Sequence, residues 1–202
     1  MNGYSDDINH AFAFAAKYRA PYAPVDGAMT YFAHPANVAV ILARHGADEV
    51  TLVAAILHNV IEVTPPRLHQ EVFVKIEDKF GVAVLNLARE AVEVSEDDRG
   101  TRVSWLQRKH ALINHLLGVS SRALDICCGD EIHQCGTALA IAERLGPEYL
   151  APSGLPSTLN ELCCYDDILE AFDRRSDWHA RGMKSELHAL KLRLWSALQS
   201  DE

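Results

Sequence analysis

The stretch Leu52-Val53-Ala54-Ala55-Ile56-Leu57-His58-Asn59-Val60-Ile61-Glu62 decides the reading of this chain. An unbroken apolar run leads into an imidazole, an amide and, a turn later, a carboxylate. Asp48 supplies a helix cap ahead of it, and Thr64-Pro65-Pro66 closes it, so the stretch is predicted as a helix from Asp48 to about Glu62. Residues four apart share a helix face. His58 and Glu62 therefore form one stripe, and Asn59 and Val63 form the next. A lone histidine in such surroundings is ordinarily a satisfied core residue. Other residues along the chain set His58 apart from that case.

His34, in Ala33-His34-Pro35, stands at the predicted start of another helix, with Pro35 in its first turn and His34 at the N-cap. Asp130 lies in a third apolar helix, Leu124-Asp125-Ile126-Cys127-Cys128-Gly129-Asp130, opened by Ser120-Ser121. A buried aspartate needs a partner, and a cation is one of the few that suffice. Imidazole nitrogen together with carboxylate oxygen suits a borderline divalent ion such as manganese, iron or zinc.

Outward from these points the chain reads as all helix. Ser5-Asp6-Asp7 caps a first helix whose apolar face is predicted as Ile8, Phe12 and Ala15-Ala16. A loop with Pro21, Pro24 and Gly27 follows, and Gly46 stops the helix that carries His34. The segment through Phe73 and Ile76 to Phe80-Gly81 is assigned to helix although Glu71–Ile76 alternates like a strand. Further helices are predicted over Val82–Val94, Ser104–Leu117, Ser157–Phe172 and Arg174–Ser200, with Glu96–Gly100 as a solvated acidic loop. The last helix carries Trp178, Leu187, Leu190, Leu194 and Trp195 as an apolar face that packs on its own domain. The expected layout is one helical bundle over residues 1–172 with residues 173–202 laid against it.

Composition bounds the partners. The chain has 202 residues, 49% of them hydrophobic, and a formal net charge of −9. That suits a well-cored domain and argues against a nucleic-acid backbone as its partner. No apolar run is long enough to span a bilayer, and Met1–His10 lacks the pattern of a secretory signal. The five cysteines fall as Cys127-Cys128, Cys135 and Cys163-Cys164, an odd count without zinc spacing. They read as small buried hydrophobes in a reducing cytoplasm.

The motifs resemble those of the HD phosphohydrolase superfamily, and in particular the hydrolase domain of the RelA/SpoT alarmone enzymes and their small stand-alone relatives. Ala33-His34-Pro35 is similar to the first metal-ligand motif. Gly46-Ala47-Asp48-Glu49 and the helix through Glu62 resemble the region leading into His-Asp-x-x-Glu-Asp. Trp105-x-x-Arg108-Lys109 and Gly129-Asp130-Glu131-Ile132-His133-Gln134 resemble later helices of the group, and Leu159–Phe172 a segment near its end. The resemblance covers roughly residues 8–172 and implies an all-α HD-domain bundle. It implies metal ligands at His34, His58, Asn59 and Asp130, with manganese the usual ion. It implies that Glu62 orients or deprotonates the attacking water and that Thr137 keeps a matching hydroxyl for the substrate, while Arg108 and Lys109 are substrate-binding candidates as nearby cations. The reaction implied is removal of the 3′-pyrophosphate from a guanosine polyphosphate.

Departures from the motif weaken these expectations. Asn59 replaces the doublet aspartate and Val63 the second acid of the Glu-Asp pair. Two unit charges 4 Å apart interact by about 4 kcal/mol at an effective dielectric of ~20, so two lost carboxylates weaken a divalent site. Asparagine still offers a carbonyl oxygen, whereas valine accepts no proton. Ala23-Pro24-Val25-Asp26-Gly27 lacks the basic pair of the group, with Lys17, Arg19, Arg108 and Lys109 as compensating cations. Glu131 stands where a basic residue is usual, and Gln134 replaces an asparagine. The expectation is a phosphohydrolase-like protein with weak or absent metal and a phosphorylated nucleotide or other small phospho-ligand. The alternative is an inactive descendant that binds a nucleotide or a protein.

Overall fold

The structure is a computed structural model and describes residues 4–19, 30–93 and 103–199. The expected loop over Pro21–Gly27, the acidic stretch Glu96–Gly100 and the side chain of Arg19 lie outside the described residues. Every regular element among the described residues is helical. The chain divides into two compact units, Met1–Val92 and Glu93–Glu202.

The first unit contains α1 (Asp6–Arg19), α2 (Thr30–Arg44), α3 (Glu49–Val63), α4 (His69–Phe80) and α5 (Val82–Glu90). Its centre is α3, in which every residue from Thr51 to Ile61 is buried. A helix apolar all round must be covered on all sides, and α1, α2, α4 and α5 pack against it. Asp48 caps it, accepting from the Thr51 amide at 2.9 Å. At the other end the Thr64 hydroxyl donates to the Val60 carbonyl at 2.7 Å. Pro65 then prevents continuation.

Two details differ from the sequence expectation. The helix with His34 begins at Thr30, so His34 is not its N-cap and Pro35 lies inside the helix. Pro35 still sits near the N-terminal end, where its missing amide removes one backbone bond, the one toward the carbonyl of residue 31. The buried face of α1 is Ala11, Phe14 and Ala15, so Ala15 is placed as expected whereas Ile8 and Phe12 are half-buried and Ala16 is exposed. The aromatic contacts explain the rotation, since Phe14 stacks on Tyr18 at 4.2 Å and meets Phe80 edge-on at 5.6 Å. Gly46 ends α2 as expected. Its φ of 82° lets its own amide reach the Ala43 carbonyl and the Ala47 amide reach Leu42, both at 3.1 Å.

The second unit holds α6 (Trp105–Leu116), α7 (Ser121–Arg144), α8 (Leu159–Asp173) and α9 (Arg181–Gln199). Within it α7 packs on α9, α6 on α8, and α8 on α9. The boundary between units thus falls at residue 92/93, and α9 shares a unit with α6–α8. Capping boxes at Ser104 and Thr158 start α6 and α8. The expected last helix from Arg174 is shorter, because residues 174–180 form a connection. Trp178 is buried there against Phe172, with ring centroids 4.5 Å apart, and donates from Nε1 to Asp125 at 2.8 Å. Four cysteines are buried and Cys163 is exposed; all five are free thiols.

Candidate metal and substrate residues

In the first unit, α2 and α3 bring His34 and His58 together. Their ring centroids are 6.5 Å apart at 65°, and a nitrogen of each lies within 4.8 Å of the other. His58 is 1% exposed. Its Nδ1 lies 2.6 Å from the Ala55 carbonyl oxygen. A carbonyl only accepts, so Nδ1 carries a proton, and in the neutral ring Nε2 then keeps its lone pair. That is the state of a histidine ready to ligate a metal.

Asn59 is also buried. Its Nδ2 donates to Glu62 Oε2 at 3.0 Å. The carboxylate accepts only, which fixes the amide's orientation. Asn59 Oδ1 is consequently turned away from Glu62, and it has no hydrogen-bond partner among the described residues. An orphaned buried carbonyl oxygen is uncommon, and a cation is a fitting partner for it. Val63, one turn beyond Asn59, is half-buried and contributes no donor atom.

In the second unit, α7 presents Asp130, Gln134 and Thr137 at spacings of four and three residues, which places them on one face. All three are half-buried. Gln134 Nε2 donates to Asp130 Oδ2 at 2.5 Å. The adjoining face of α7 carries Glu131, Cys135 and Ala138, all buried.

The substrate role expected of Lys109 meets a different arrangement. Lys109 is wholly buried and its ammonium lies 2.5 Å from Glu131 and 3.0 Å from Glu93. Burial by itself would lower its pKa, but Glu131 and Glu93 outweigh that and hold it above the usual lysine range. Burial pushes the Glu131 carboxyl up to about 7, against the pull of Lys109. The pair is a charged clamp between α6 and α7, with Lys109 the cation throughout the neutral range. Glu131 is therefore an interior acid with a cation of its own. Arg108 also reaches Glu93, at 3.3 Å, and keeps partial exposure. Lys17 is exposed on α1.

Sequence reasoning missed the Glu93–Lys109–Glu131 cluster and the bond from Gln134. One signal was available. Trp105, Lys109, Leu112 and Leu116 make up the buried stripe of α6, so Lys109 sits where an apolar residue belongs. A lysine in that register needs carboxylates, and Glu131 on an apolar helix is the matching acid.

The sequence pattern of the HD domain matches residues 11–121, more than half of the chain. The chain belongs to the HD domain family. Among proteins similar to this HD domain protein is a guanosine-3′,5′-bis(diphosphate) 3′-pyrophosphohydrolase of Aquifex aeolicus (strain VF5), 29% identical over 93 residues. That match takes in 46% of this chain and 12% of the relative, so the HD domain protein spans a small part of that relative's length. Two solved structures share the fold. One is a protein of Listeria monocytogenes EGD-e, with TM-score 0.63, 19% identity, and coverage of 81% of this chain and 99% of the other. The second is a metazoan ortholog of SpoT described as hydrolysing ppGpp, with TM-score 0.61, 22% identity, and coverage of 100% and 98%. No helix among the described residues is long and apolar enough to cross a membrane.

Proposed function

We propose that this protein is a metal-dependent phosphohydrolase of the HD type that acts on a phosphorylated nucleotide of the ppGpp kind, with metal binding and turnover weakened by Asn59 and Val63. The observation that carries the reading is His58. It is a buried imidazole with its Nδ1 proton committed to Ala55 and His34 beside it. Its Nε2 is left with the properties of a ligand and with little other use in an apolar helix.

The ligand set in this reading is His34, His58, Asn59 through Oδ1, and Asp130. His34 and His58, both of the first unit, each offer a ring nitrogen to such an ion, and the resemblance adds the Asp130 carboxylate of the second unit. Two imidazoles, an amide and one carboxylate suit manganese, iron or zinc, with manganese the first choice by resemblance. A divalent ion held there supplies Lewis acidity toward a phosphoryl oxygen. The chain itself supplies the rest. Glu62 accepts a proton from the water that attacks phosphorus, while the phosphorus–oxygen bond to the leaving group breaks. Its Oε2 receives the Asn59 amide at 3.0 Å. Thr137 offers a hydroxyl and Arg108 a partly exposed guanidinium to the substrate, and Lys109 acts through its carboxylate partners.

A second reading has its own support in the bond from Asn59 to Glu62, which engages the one acid left in the motif's second half. Under that reading the protein binds a phosphorylated ligand without turning it over. Pyrophosphate release from ppGpp with excess manganese separates the two. Turnover that His58→Ala lowers at least a hundredfold supports the enzyme. Thermal stabilisation by ppGpp without release of pyrophosphate, in unaltered protein, selects the binding module.

A further inference from the structure

The first unit also carries a pocket of about 170 Å³, walled by residues of α1, α3, α4 and α5. Its floor is apolar. Val53 and Val84 are nearly sealed from solvent, and Val50 and Phe80 are half-buried beside them. The Phe80 ring is held by two neighbours, His10 at 4.8 Å and Phe14 at 5.6 Å, so the floor is formed before anything occupies it. The rim is charged. Asp7 stands in the first turn of α1, Glu49 opens α3, and Lys79 lies in the last turn of α4. Each has the sign that suits its helix end. Among the described residues no ion pair joins Lys79 to either carboxylate, and no other side chain takes up these three charges. Opposite charges thus border one hollow without neutralising one another. His58 lies more than two turns further along α3 than Glu49, so the pocket is a separate place from the imidazole pair.

We propose that this pocket binds a small free α-amino acid with a branched apolar side chain. The ligand's ammonium goes to Asp7 and Glu49, since its three N–H donors suit more than one carboxylate. The ligand's carboxylate goes to Lys79, and its side chain lies on Val50, Val53, Phe80 and Val84. A volume of about 170 Å³ matches about six waters at ~30 Å³ each, which admits such a molecule. It falls below the range of about 300–1,000 Å³ that larger ligands take, and is too small for a nucleotide. The assignment therefore stands apart from the phosphohydrolase reading and does not depend on it.

The test titrates the whole unaltered chain with L-leucine by calorimetry. Beside it run isoamylamine, which lacks the carboxylate, isocaproate, which lacks the ammonium, and glycine, which lacks the side chain. Saturable binding of L-leucine is expected, with each analogue at least about fivefold weaker, the scale of one exposed charge pair. Glu49→Gln and Lys79→Gln should each weaken L-leucine by about fivefold as well. Both positions are exposed, so neither change threatens the fold. Glu49→Gln should leave isocaproate binding as it was, and Lys79→Gln should leave isoamylamine binding as it was. Failure of the unaltered chain to bind L-leucine overturns the proposal. Isoamylamine that binds as tightly as L-leucine overturns it too, because the hollow would then take cations alone. L-leucine binding that neither variant changes puts the ligand elsewhere and is equally fatal.

Discussion

Asn59 is the residue on which the proposed chemistry turns. As an amide it does two things a carboxylate could not do at once. It donates to Glu62 through Nδ2 and directs a neutral oxygen the other way. Replacement by aspartate has opposite effects with and without metal. In metal-free protein, Asn59→Asp sets a second carboxylate about 3 Å from Glu62 in a buried position, replacing a hydrogen bond with repulsion. The expected loss is about 1–3 kcal/mol in metal-free stability. With Mn²⁺ the added charge is attracted to a divalent ion, and affinity should rise at least about tenfold. Thermal melts of parent and variant across a Mn²⁺ titration should therefore cross. Melting curves that keep the same order at every Mn²⁺ concentration would show that residue 59 lies outside the ligand set.

The elements were largely legible because their punctuation is local. Asp48, Ser104 and Ser120 cap the helices expected of them, and Gly46 stops α2 with a left-handed turn. Errors arose where distant contacts decided. Phe80 rotates α1 to bury Phe14, and Asp125 with Phe172 captures Trp178 so that α9 starts at Arg181. The same division applies to the candidate residues. The orientation of His58 and Asn59 follows from neighbours within one turn. The partners of Lys109 are distant in sequence and could be inferred only from its register. One junction between elements has a testable consequence. Asp173 ends α8 and Arg181 begins α9, each the wrong sign for its own helix dipole. They offset one another, with Arg181 at 3.1 Å and Lys184 at 2.5 Å from the Asp173 carboxylate. Lys184 first, and then Arg181, hold the Asp173 carboxyl below the usual aspartate range. A depressed carboxylate contributes stability above its unfolded pKa of about 4, and that contribution is lost as pH falls. Asp173 is half-exposed, so the contribution is that of a surface pair, under about 1 kcal/mol. Asp173→Asn should lower the denaturation midpoint at pH 7, and the deficit should shrink as pH falls below about 4. A deficit that persists unchanged at pH 3 would point to a cause other than charge.

Across the molecule, stability and site are not spread alike. In the first unit α3 is both the core and the carrier of His58, Asn59 and Glu62, so a disturbed core would reach those residues directly. In the second unit α7 carries Asp130 on one face and receives α9 on another, which makes the C-terminal segment a support for the helix that holds that carboxylate. Met183, Leu187 and Leu194 of α9 are buried, as is Trp178 before it. Burial of such side chains is worth about 1.5–3 kcal/mol each, against a total of roughly 5–15 kcal/mol for a folded domain. Deleting residues 174–202 should therefore unfold α6–α8 as well. Far-ultraviolet circular dichroism would then show more helix lost than the deleted residues contain. A soluble truncated protein that keeps the rest of its helix would show that α9 is dispensable.

The short contact from His58 Nδ1 to the Ala55 carbonyl has a spectroscopic consequence. An imidazole proton held at 2.6 Å in a site closed to solvent should exchange slowly with water. It should appear as a sharp, far-downfield proton resonance in protein free of metal. Titrating in a paramagnetic ion should broaden that line before others, so one signal would report at once the tautomer, the seclusion of the ring and the arrival of a cation beside it.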